Sequence, residues 1–437
     1  MASAVYGAAQ LVKTLLLISY YWPPSGGPGV YRWLKMAKYL PEHGWRVVVV
    51  TPENPERPAY DESLLSDVRA DQEVLRLPIL EPYGIYRWFS GVGRKPMYSG
   101  FISDDQWPSW KQRLAAWLRG NLLIPDPRLL WIRPASKFII KNLKSINPDV
   151  IISTGPPHSM HLIGRRVHEK TGIPWVADFR DPWTEIYYFK RLGLSGFAQR
   201  KHRRLEESVV TGASRVVTVS HTWSADFTRV HGRSVDVIPN GYDAADFPEQ
   251  SSLSPTPHTI AHFGALQLER NPHALWQAME RLKSDCLLGA EHLRLESYGP
   301  VDGTVLRAAA KHGVQDQLSL HPYTGHAEVV TAMRSSALLL VVNQSDSAGV
   351  IPGKLYEYLA AGRPILLIGN ADGDAASLIR RFDAGWVADF DDATAVYEVL
   401  RKLLERGGLL ERSGTDVSSF YRSKLAQDYA GLLNAIT

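Results

Sequence analysis

Residues 352–367, with the sequence PGKLYEYLAAGRPILL, constrain the fold more than any other segment of the chain. The apolar run at 337–342 predicts a buried strand before this segment, and residues 364–368 predict another strand at its end. Between the two strands, Pro352 fits the first position of a helix, where its missing N–H costs nothing, and Gly362 fits a C-terminal cap. The order strand, loop, helix and strand predicts a parallel α/β sheet.

The start of this helix is predicted to bind an anion. Free N–H groups and the helix dipole converge where a helix begins at the carboxyl end of a buried strand. Lys354 adds a positive charge at that end. Glu357, about one turn further on, has two oxygens that can accept hydrogen bonds from both hydroxyls of a ribose. An anion site beside a carboxylate that binds a diol indicates a nucleoside diphosphate.

Composition indicates a globular protein with two domains. The chain has 437 residues and is 45% apolar, which is enough for two separate cores. Its one cysteine, Cys286, excludes an internal disulfide and fits a reducing compartment. The apolar run around residues 15–18 is too short to span a bilayer and lacks the basic flank and cleavage site of a signal peptide. We therefore expect a cytoplasmic protein.

The net charge of +4 is distributed unevenly, since residues 1–240 carry +11 and residues 241–437 carry −7. The basic excess is greatest at 84–145, where 11 basic and 3 acidic side chains accompany a set of aromatic residues: Tyr86, Trp88, Phe89, Trp107, Trp110 and Trp117. This combination is typical of contact with an anionic membrane surface. The alternative is a solvated basic surface over a partly buried aromatic cluster. Nucleic acid is not an expected partner, because no recognised binding motif accompanies the charge.

Two successive series of strand and helix patterns indicate two doubly wound α/β domains that face each other across a cleft. The first series has predicted strands at 14–20, 46–51, 150–153, 175–178 and 216–220. After a boundary rich in Pro and Ser, the second has strands at 259–263, 293–297, 318–321, 337–342 and 364–368. We expect domains at 1–240 and 248–415. The last segment, 416–437, contains an amphipathic helix that is predicted to pack back on the N-terminal domain.

A glycine pair follows the first predicted strand. Gly26 and Gly27 allow the backbone to approach a ligand closely at the carboxyl end of that strand, beside the start of the next helix. A plain tight turn is the alternative interpretation. The loop lacks the full G-x-G-x-x-G pattern, which argues against a nicotinamide site.

Charged and imidazole side chains follow two further strands of the first series. His158, after Gly155-Pro156-Pro157, is interpreted either as a substrate contact or as a helix cap. Asp178, Arg180 and Asp181 follow the strand at 175–178, where charges are costly to bury unless they are paired or face a ligand. The alternative is an internal salt-bridge network that fixes the loop. We expect a mixture of the two, in which Asp178 or Asp181 holds Arg180 and Arg180 faces the cleft.

Corresponding positions in the second series indicate a phosphate and base site. Gly264 ends its first strand, and Arg270, at the start of the next helix, can make a forked contact with phosphate oxygens. Tyr298, His321 and Tyr323 lie at strand ends on the same rim, where a base can be held by main-chain groups and an aromatic face. Each tyrosine can equally pack as part of the wall.

Together these residues resemble retaining nucleotide-sugar glycosyltransferases of the GT-B fold, close to glycosyltransferase family 4, over nearly the whole chain. The Gly26-Gly27 loop is similar to the family's loop for diphosphate and acceptor. Ser220, Asn240-Gly241 and Asp243 lie where the family carries its S…NGxD segment near the interdomain hinge. The segment 263–271 resembles the family's phosphate-binding segment, Gly-Arg-Leu…Lys, with Arg270 in the position of the lysine. Glu357 matches the second acid of the Glu-x7-Glu motif, which the resemblance implies binds ribose.

Three positions depart from the family pattern. Gly349 stands where the first acid of Glu-x7-Glu is expected, Ala265 where a phosphate arginine is expected, and Arg180 where the family has a histidine. A sugar-binding carboxylate, a phosphate cation and an imidazole are therefore replaced. Lys354 and the main-chain amides of the segment 349–353 substitute for part of this, and they include those of Gly349, Val350, Ile351 and Gly353.

The resemblance implies retaining transfer of a sugar from a nucleoside-diphosphate sugar to a hydroxyl acceptor, with no obligatory metal or other cofactor. It implies that Arg180, Arg270, Lys354 and His158 are catalytic, and that Gly27, His158, Asp178 and Arg180 face the acceptor. The residues implied to bind the donor are Gly26, Gly27, Gly264, Arg270, Tyr298, His321, Tyr323, Gly349, Val350, Ile351, Gly353, Lys354 and Glu357. The basic N-terminal domain predicts a lipid-linked or surface-polysaccharide acceptor at the inner face of the membrane. A sugar-nucleotide epimerase and a non-catalytic binding subunit with this fold are the alternatives.

Overall fold

The computed structural model describes residues 12–57, 59–81, 114, 117–118, 120–187, 189–247, 254–287, 292–322, 324–346, 348–412 and 414–437. Tyr323 and most of the basic aromatic segment, residues 84–113, lie outside these ranges. What the sequence predicts for them therefore stays a prediction.

The N-terminal domain contains a parallel sheet made of β1 (Lys13–Ile18), β3 (Trp45–Pro52), β5 (Glu73–Leu77), β6 (Val150–Gly155), β7 (Trp175–Phe179), β8 (Arg215–Thr218) and β9 (Asp236–Val237). Its seven strands have the order β5-β3-β1-β6-β7-β8-β9. Two short strands, β2 (Ser25–Gly26) and β4 (Ala59–Tyr60), pair antiparallel beside it. The helices are α1 (Pro28–Tyr39), α2 (Ile132–Lys141), α3 (Leu143–Ile146), α4 (Ser159–Thr171), α5 (Gly196–Gly212) and α6 (His221–His231).

The C-terminal domain repeats the arrangement with β10 (Thr256–Phe263), β11 (Arg294–Tyr298), β12 (Leu318–His321), β13 (Ser336–Val342), β14 (Ile365–Gly369) and β15 (Gly385–Asp389). Its six parallel strands have the order β12-β11-β10-β13-β14-β15. The helices are α7 (His273–Ser284), α8 (Gly303–Lys311), α9 (His326–Ser335), α10 (Gly353–Ala361), α11 (Asp374–Arg381) and α12 (Ala393–Glu405). A last helix, α13 (Arg422–Asn434), returns to the N-terminal domain.

Both sheets have the strand order of a Rossmann fold, in which the direction of winding reverses between the first and fourth strands. The reversal falls between β1 and β6 in one domain and between β10 and β13 in the other. Ligands of open parallel sheets bind at this point, beyond the carboxyl ends of the strands. The predicted pair of doubly wound domains is thus confirmed, and each domain has one expected ligand crevice.

The final helix covers one face of the N-terminal sheet, as the sequence predicts. Leu425, Tyr429 and Leu433 are almost completely buried there, against Trp33 and Leu34 of α1. Each leucine buried in this way contributes about 1.5–3 kcal/mol to stability. Because α13 is joined to the C-terminal domain, this packing also ties the two domains together.

The chain crosses between the domains twice, and the two crossings lie side by side. The Tyr242 N–H donates to the Phe420 carbonyl at 3.1 Å, and the Arg422 N–H donates to the Tyr242 carbonyl at 2.9 Å. A Cβ atom on Gly241 would lie 2.1 Å from the Phe420 oxygen, so this approach requires glycine. Phe420 still packs in the C-terminal core. The second crossing therefore follows residue 420, later than the boundary at 416 that we expected.

No helix of the described ranges is both long enough and apolar enough to cross a membrane.

Candidate active site between the two domains

Direct contacts show that the carboxyl edges of the two sheets face each other. Thr222, after β8, donates from its backbone N and its Oγ1 to the two carboxylate oxygens of Asp374, after β14, both at 3.0 Å. Arg191, in the loops after β7, pairs with Asp346, after β13, at 2.8 Å. Loops that follow the strands of one domain thus touch loops that follow the strands of the other.

Helix α10 begins at this cleft. Pro352 is its N-cap, with φ −56° and ψ 133°, and Gly353 is the first helical residue, one position later than the sequence predicts. Gly362 is left-handed with φ 70° and ends the helix as expected. Lys354 Nζ lies 2.7 Å from Glu357 Oε2, and both side chains are partly exposed. The structure therefore brings a cation and a carboxylate together over the free amides of a helix start.

Gly349, four residues before α10, lies against Trp223 of the other domain. A Cβ atom on Gly349 would lie 2.3 Å from both Cδ1 and Nε1 of the indole, so no side chain fits at 349 while Trp223 keeps this position. Val350 packs beside Trp223 in a small apolar cluster with Ile186. Ile351 packs instead against the core of the C-terminal domain. The missing acid is thus matched by an indole that occupies its space.

Two glycines bring the ends of β10 and β11 into close contact. Gly264 has φ 145° and Gly299 has φ 134°, a region that favours glycine. A Cβ atom on Gly299 would lie 2.5 Å from the carbonyl oxygen of Gly264. The backbone of Gly264 is exposed beside the ring of His262, whose Nε2 would lie 3.6 Å from a Cβ atom at position 264.

The predicted base site is an aromatic stack across three strands. Tyr298 lies between Phe263, with ring centroids 4.6 Å apart, and His321, at 4.1 Å. His321 Nε2 lies 2.5 Å from Glu296 Oε2. Because both faces of the Tyr298 ring are covered, Tyr298 forms part of the wall, which is the alternative interpretation for this residue. His321, about one third exposed, has the more accessible ring.

Arg270 acts across the cleft. It ends a short 3₁₀ turn, Leu268–Arg270. Burial raises the pKa of Asp181 in the N-terminal domain, and the nearby guanidinium groups of Arg180 and Arg270 oppose this rise. Burial likewise raises the pKa of Tyr187, again against the charge of Arg270. The side chain of Arg270 therefore belongs to the cleft between the domains.

On the N-terminal side, the glycine loop and Arg180 meet. Gly27 has φ 98° and is the N-cap of α1. The Arg180 N–H donates to the Gly155 carbonyl at 3.0 Å, and its Nη2 donates to the Pro156 carbonyl. A Cβ atom on Gly29 would lie 3.0 Å from Arg180 Nη1. Arg180 thus lies at the winding reversal between β1 and β6. Gly26 is held in β2, opposite Ala59.

His158 is a neutral imidazole next to Arg180. Its ring stacks on Trp183 at 4.6 Å with an interplanar angle of 1°. Burial, together with His161, His202 and Arg180, lowers the pKa of His158 well below its usual value. Its Nδ1 is buried and has no hydrogen-bond partner among the described residues. His158 therefore does not cap α4 with its side chain, and as a neutral ring it can take part in a hydrogen bond with a ligand.

Glu206 fixes the loop that carries Trp183 by accepting hydrogen bonds from its backbone. The backbone N–H groups of Trp183 and Thr184 both donate to Glu206 Oε1 at 3.2 Å. Burial raises the pKa of Glu206 to about 7. Trp183 Nε1 also bonds His202 at 2.9 Å. These contacts hold the ring on which His158 stacks.

Asp178 does not face an acceptor and does not hold Arg180. Burial lowers the pKa of Arg180, and Asp181, the other predicted partner, opposes this most strongly. The carboxylate of Asp178 has no exposed surface and accepts hydrogen bonds from groups inside the protein. Arg32 pairs with it at 2.9 Å, Trp33 Nε1 donates at 2.8 Å, Thr154 Oγ1 at 2.9 Å and Tyr429 Oη at 2.8 Å. Asp178 therefore joins α1, the sheet and α13, and Arg180 bonds main-chain carbonyls instead.

Basic side chains of α1, which were not predicted, fix the hinge together with Asp243. Arg32 donates to the carbonyls of Ile238 and Pro239, both at 2.9 Å. Asp243 accepts from Lys35 at 2.8 Å and from Tyr39 at 2.5 Å. Although burial alone would raise it, these partners hold the pKa of Asp243 well below its usual range. The signal in the sequence was the pair of basic residues on the apolar face of α1.

Comparison with known families identifies the class of protein. Residues 26–241 match the model of a Glycosyl transferase 4-like domain, and residues 243–416 match the model of Glycosyl transferases group 1. The chain therefore belongs to the GT-B glycosyltransferases of the family 4 type, as the resemblance implies. A comparison with curated proteins found no significant match in sequence.

Solved structures share the fold over nearly the full chain. A mutant TarM from S. aureus, in complex with Fondaparinux, alpha-GlcNAc-glycerol and UDP, has 10% identity and a TM-score of 0.61, covering 97% of this chain and 100% of that one. Sucrose-phosphate synthase from Thermosynechococcus elongatus has 14% identity and a TM-score of 0.58, covering 97% and 94%. A putative UDP-N-acetylglucosamine 2-epimerase from Listeria monocytogenes has 11% identity and a TM-score of 0.54, covering 97% and 96%.

Proposed function

We propose that the protein transfers a sugar, with retention of anomeric configuration, from a nucleoside-diphosphate sugar to a hydroxyl of a lipid-linked or surface-polysaccharide intermediate. One observation carries the proposal. Lys354 and Glu357 lie together at the start of α10, inside a cleft that Arg270 also enters. This arrangement fits a diphosphate at the helix amides and a ribose at the carboxylate.

The chemistry assigned to these groups is stabilisation of the leaving group. Negative charge develops on the departing diphosphate, so preorganised donors contribute most to catalysis. Arg270, Lys354 and the first amides of α10 supply such donors, and we propose that they do so without an obligatory metal. The leaving phosphate takes the proton of the acceptor hydroxyl as the acceptor attacks from the same face.

The acceptor is assigned to the N-terminal side of the cleft. His158, being neutral, can accept a hydrogen bond from the attacking hydroxyl, and Arg180 can bind an anionic group of the acceptor. Gly27 leaves room beside them at the start of α1. Closure about the paired crossings at Tyr242 and Tyr421 would exclude water and so suppress hydrolysis of the donor.

A basic face on α2 supports an acceptor at an anionic membrane. Arg133, Lys137, Lys141 and Lys144 are exposed and are spaced to lie along one side of the helix and its continuation. Trp117 is 46% exposed nearby in sequence, and Leu122 is 64% exposed. Basic and apolar side chains together favour binding at the headgroup level. We propose a peripheral position on the inner face of the membrane.

Thermal shift with a panel of nucleotide sugars tests the donor assignment. We expect one nucleoside diphosphate series to raise the melting temperature, and the best sugar of that series to raise it most. Product analysis then separates the alternatives. Conversion of the donor without any acceptor would indicate an epimerase, which is what one of the structural neighbours is named as. Tight donor binding without transfer to a broad set of acceptors would indicate a binding subunit, which the three replaced residues make the main rival.

A further inference from the structure

Arg422, the first residue of α13, is a buried cation that forms no ion pair with any described residue. The residue is 6% exposed, and its backbone N–H is fixed by the Tyr242 carbonyl at 2.9 Å. Its Nη1 is buried and has no hydrogen-bond partner. A buried guanidinium without hydrogen bonds is unfavourable, since the charge has lost its water without compensation. Such a group indicates a ligand that completes it.

The charged groups around Arg422 do not provide a hydrogen-bond partner for its Nη1. Burial, with some help from Arg32, lowers the pKa of Arg422 to about 10, while Glu357, Tyr356 and Asp243 oppose the change. Of these neighbours, Asp243 is already bonded to Lys35 and Lys38. Arg422 therefore stays charged at neutral pH, and an additional anion would be attracted to it.

A second unsatisfied polar group lies close by. Tyr356 has no exposed surface, and its Oη is buried without a partner. Tyr356 is on α10, directly before Glu357 in sequence, and the charge of Arg422 opposes the rise that burial causes in the pKa of its hydroxyl. Its ring also contacts Phe420, two residues before Arg422, at 5.0 Å between centroids. Two buried donors thus meet beside the proposed nucleotide site.

We infer that Arg422 and Tyr356 form a further anion subsite of the donor site, and that they hydrogen bond the diphosphate of the bound nucleotide. The inference rests on the proposed function. It names a cation on the crossing helix that compensates for Ala265, where no side-chain nitrogen is present. With the diphosphate at the amides of Gly353 and the ribose at Glu357, the nucleotide would lie next to Arg422, since Glu357 and Tyr356 both act on its charge.

This assignment predicts opposite effects on stability and binding. In the protein without ligand, Arg422→Met removes an unpaired buried charge and keeps most of the volume, so the melting temperature stays the same or rises. A structural arginine would give the reverse. Arg363→Met is the matched control at the other end of α10, because Arg363 Nε donates to the Ser336 carbonyl at 2.8 Å. That control is expected to melt lower and to bind ligands normally.

The test measures melting temperature, and titrates UDP, GDP, ADP, dTDP, their nucleosides and pyrophosphate, with wild type, Arg422→Met, Arg422→Lys and Arg363→Met. We expect Arg422→Met to weaken the preferred diphosphate and pyrophosphate by about 10- to 100-fold, with nucleoside affinity within about twofold and Arg422→Lys intermediate. Equal diphosphate affinity in wild type and Arg422→Met overturns the inference and leaves the proposed function standing. Pyrophosphate binding that depends on Arg422, with no preference for any nucleotide, keeps the subsite and contradicts the proposed donor. No binding of either overturns both.

Discussion

At the scale of single residues, Gly349 and Trp223 bring the two domains into direct contact. The sequence identifies position 349 as a departure from Glu-x7-Glu. The reason for glycine, however, is an indole that lies 126 positions earlier in the chain and reaches position 349 only in the folded protein. The same holds for Arg32 and Asp178, which are 146 residues apart. Pairings at such separations depend on the topology, and local patterns carry no record of them.

The contact between Gly349 and Trp223 predicts strong coupling between the two positions. Gly349→Ala places a methyl group inside the indole, so we expect a loss of about 1–3 kcal/mol in the free energy of unfolding. In a Trp223→Ala background the added methyl group has room, and the same change should have almost no cost. Urea unfolding of the four proteins measures the coupling. Equal costs in both backgrounds would show that the indole does not occupy this space in solution.

Glu357 is assigned to the ribose of the donor. Glu357→Gln removes the charged acceptor, so we expect the affinity for the preferred nucleoside diphosphate to fall by about 10- to 100-fold, as for loss of a hydrogen bond to a charged group. Pyrophosphate has no ribose and should bind as well or better, because the Lys354 ammonium loses its partner. Isothermal titration measures both ligands. An unchanged affinity for the nucleoside diphosphate would remove Glu357 from the site.

At the scale of secondary-structure elements, burial decides which strands the sequence predicts. The central strands are covered on both faces and appear as continuous apolar runs, such as the buried residues 47–50 of β3. One of the four edge strands of the two parallel sheets, β12, is partly exposed and was predicted, whereas the other three, β5, β9 and β15, are also partly exposed and were not predicted. Their mixed polar and apolar composition resembles that of loops, so periodicity alone does not identify them.

The hydrogen bonds that Asp178 accepts from α1, the sheet and α13 predict that the stability of the protein depends on pH. Although burial alone would raise it, the partners of Asp178, above all Arg32, hold its pKa below the usual value. A lowered folded-state pKa adds stability above the unfolded pKa of about 4, and that stability is lost as the pH falls through the folded value. Asp178→Asn should therefore cost about 3–5 kcal/mol at pH 7, and the cost should shrink below pH 4.

Urea unfolding between pH 7 and pH 3 measures this difference. Asp428→Asn is the control. Asp428 lies on the same helix as Tyr429, but it is half-exposed and its ion pair with Lys424 is long, at 3.8 Å. It should change stability by less than about 1 kcal/mol. A cost at Asp178 that does not vary with pH would mean that its carboxylate is not charged in the folded protein.

At the scale of the whole molecule, the uneven charge of the two domains predicts binding to anionic membranes. Each lysine near such a surface contributes about 1 kcal/mol, so reversing Lys137 and Lys141 to Glu should reduce the bound fraction by at least about tenfold. Flotation with vesicles that contain phosphatidylglycerol measures it, and vesicles of phosphatidylcholine alone should bind little. The control reverses Lys311 and Lys402, exposed lysines of the C-terminal domain. An equal loss in both variants would assign the effect to net charge and not to α2.

We propose above that the donor binds at the start of α10, within the cleft. Hydrogen exchange with and without the nucleotide sugar that stabilises the protein most tests it directly. We predict slower exchange in peptides that cover residues 349–357 and 264–270, and no change in α12, on the far side of the domain. Protection confined to other segments, with 349–357 unchanged, would show that the donor does not bind at the start of α10.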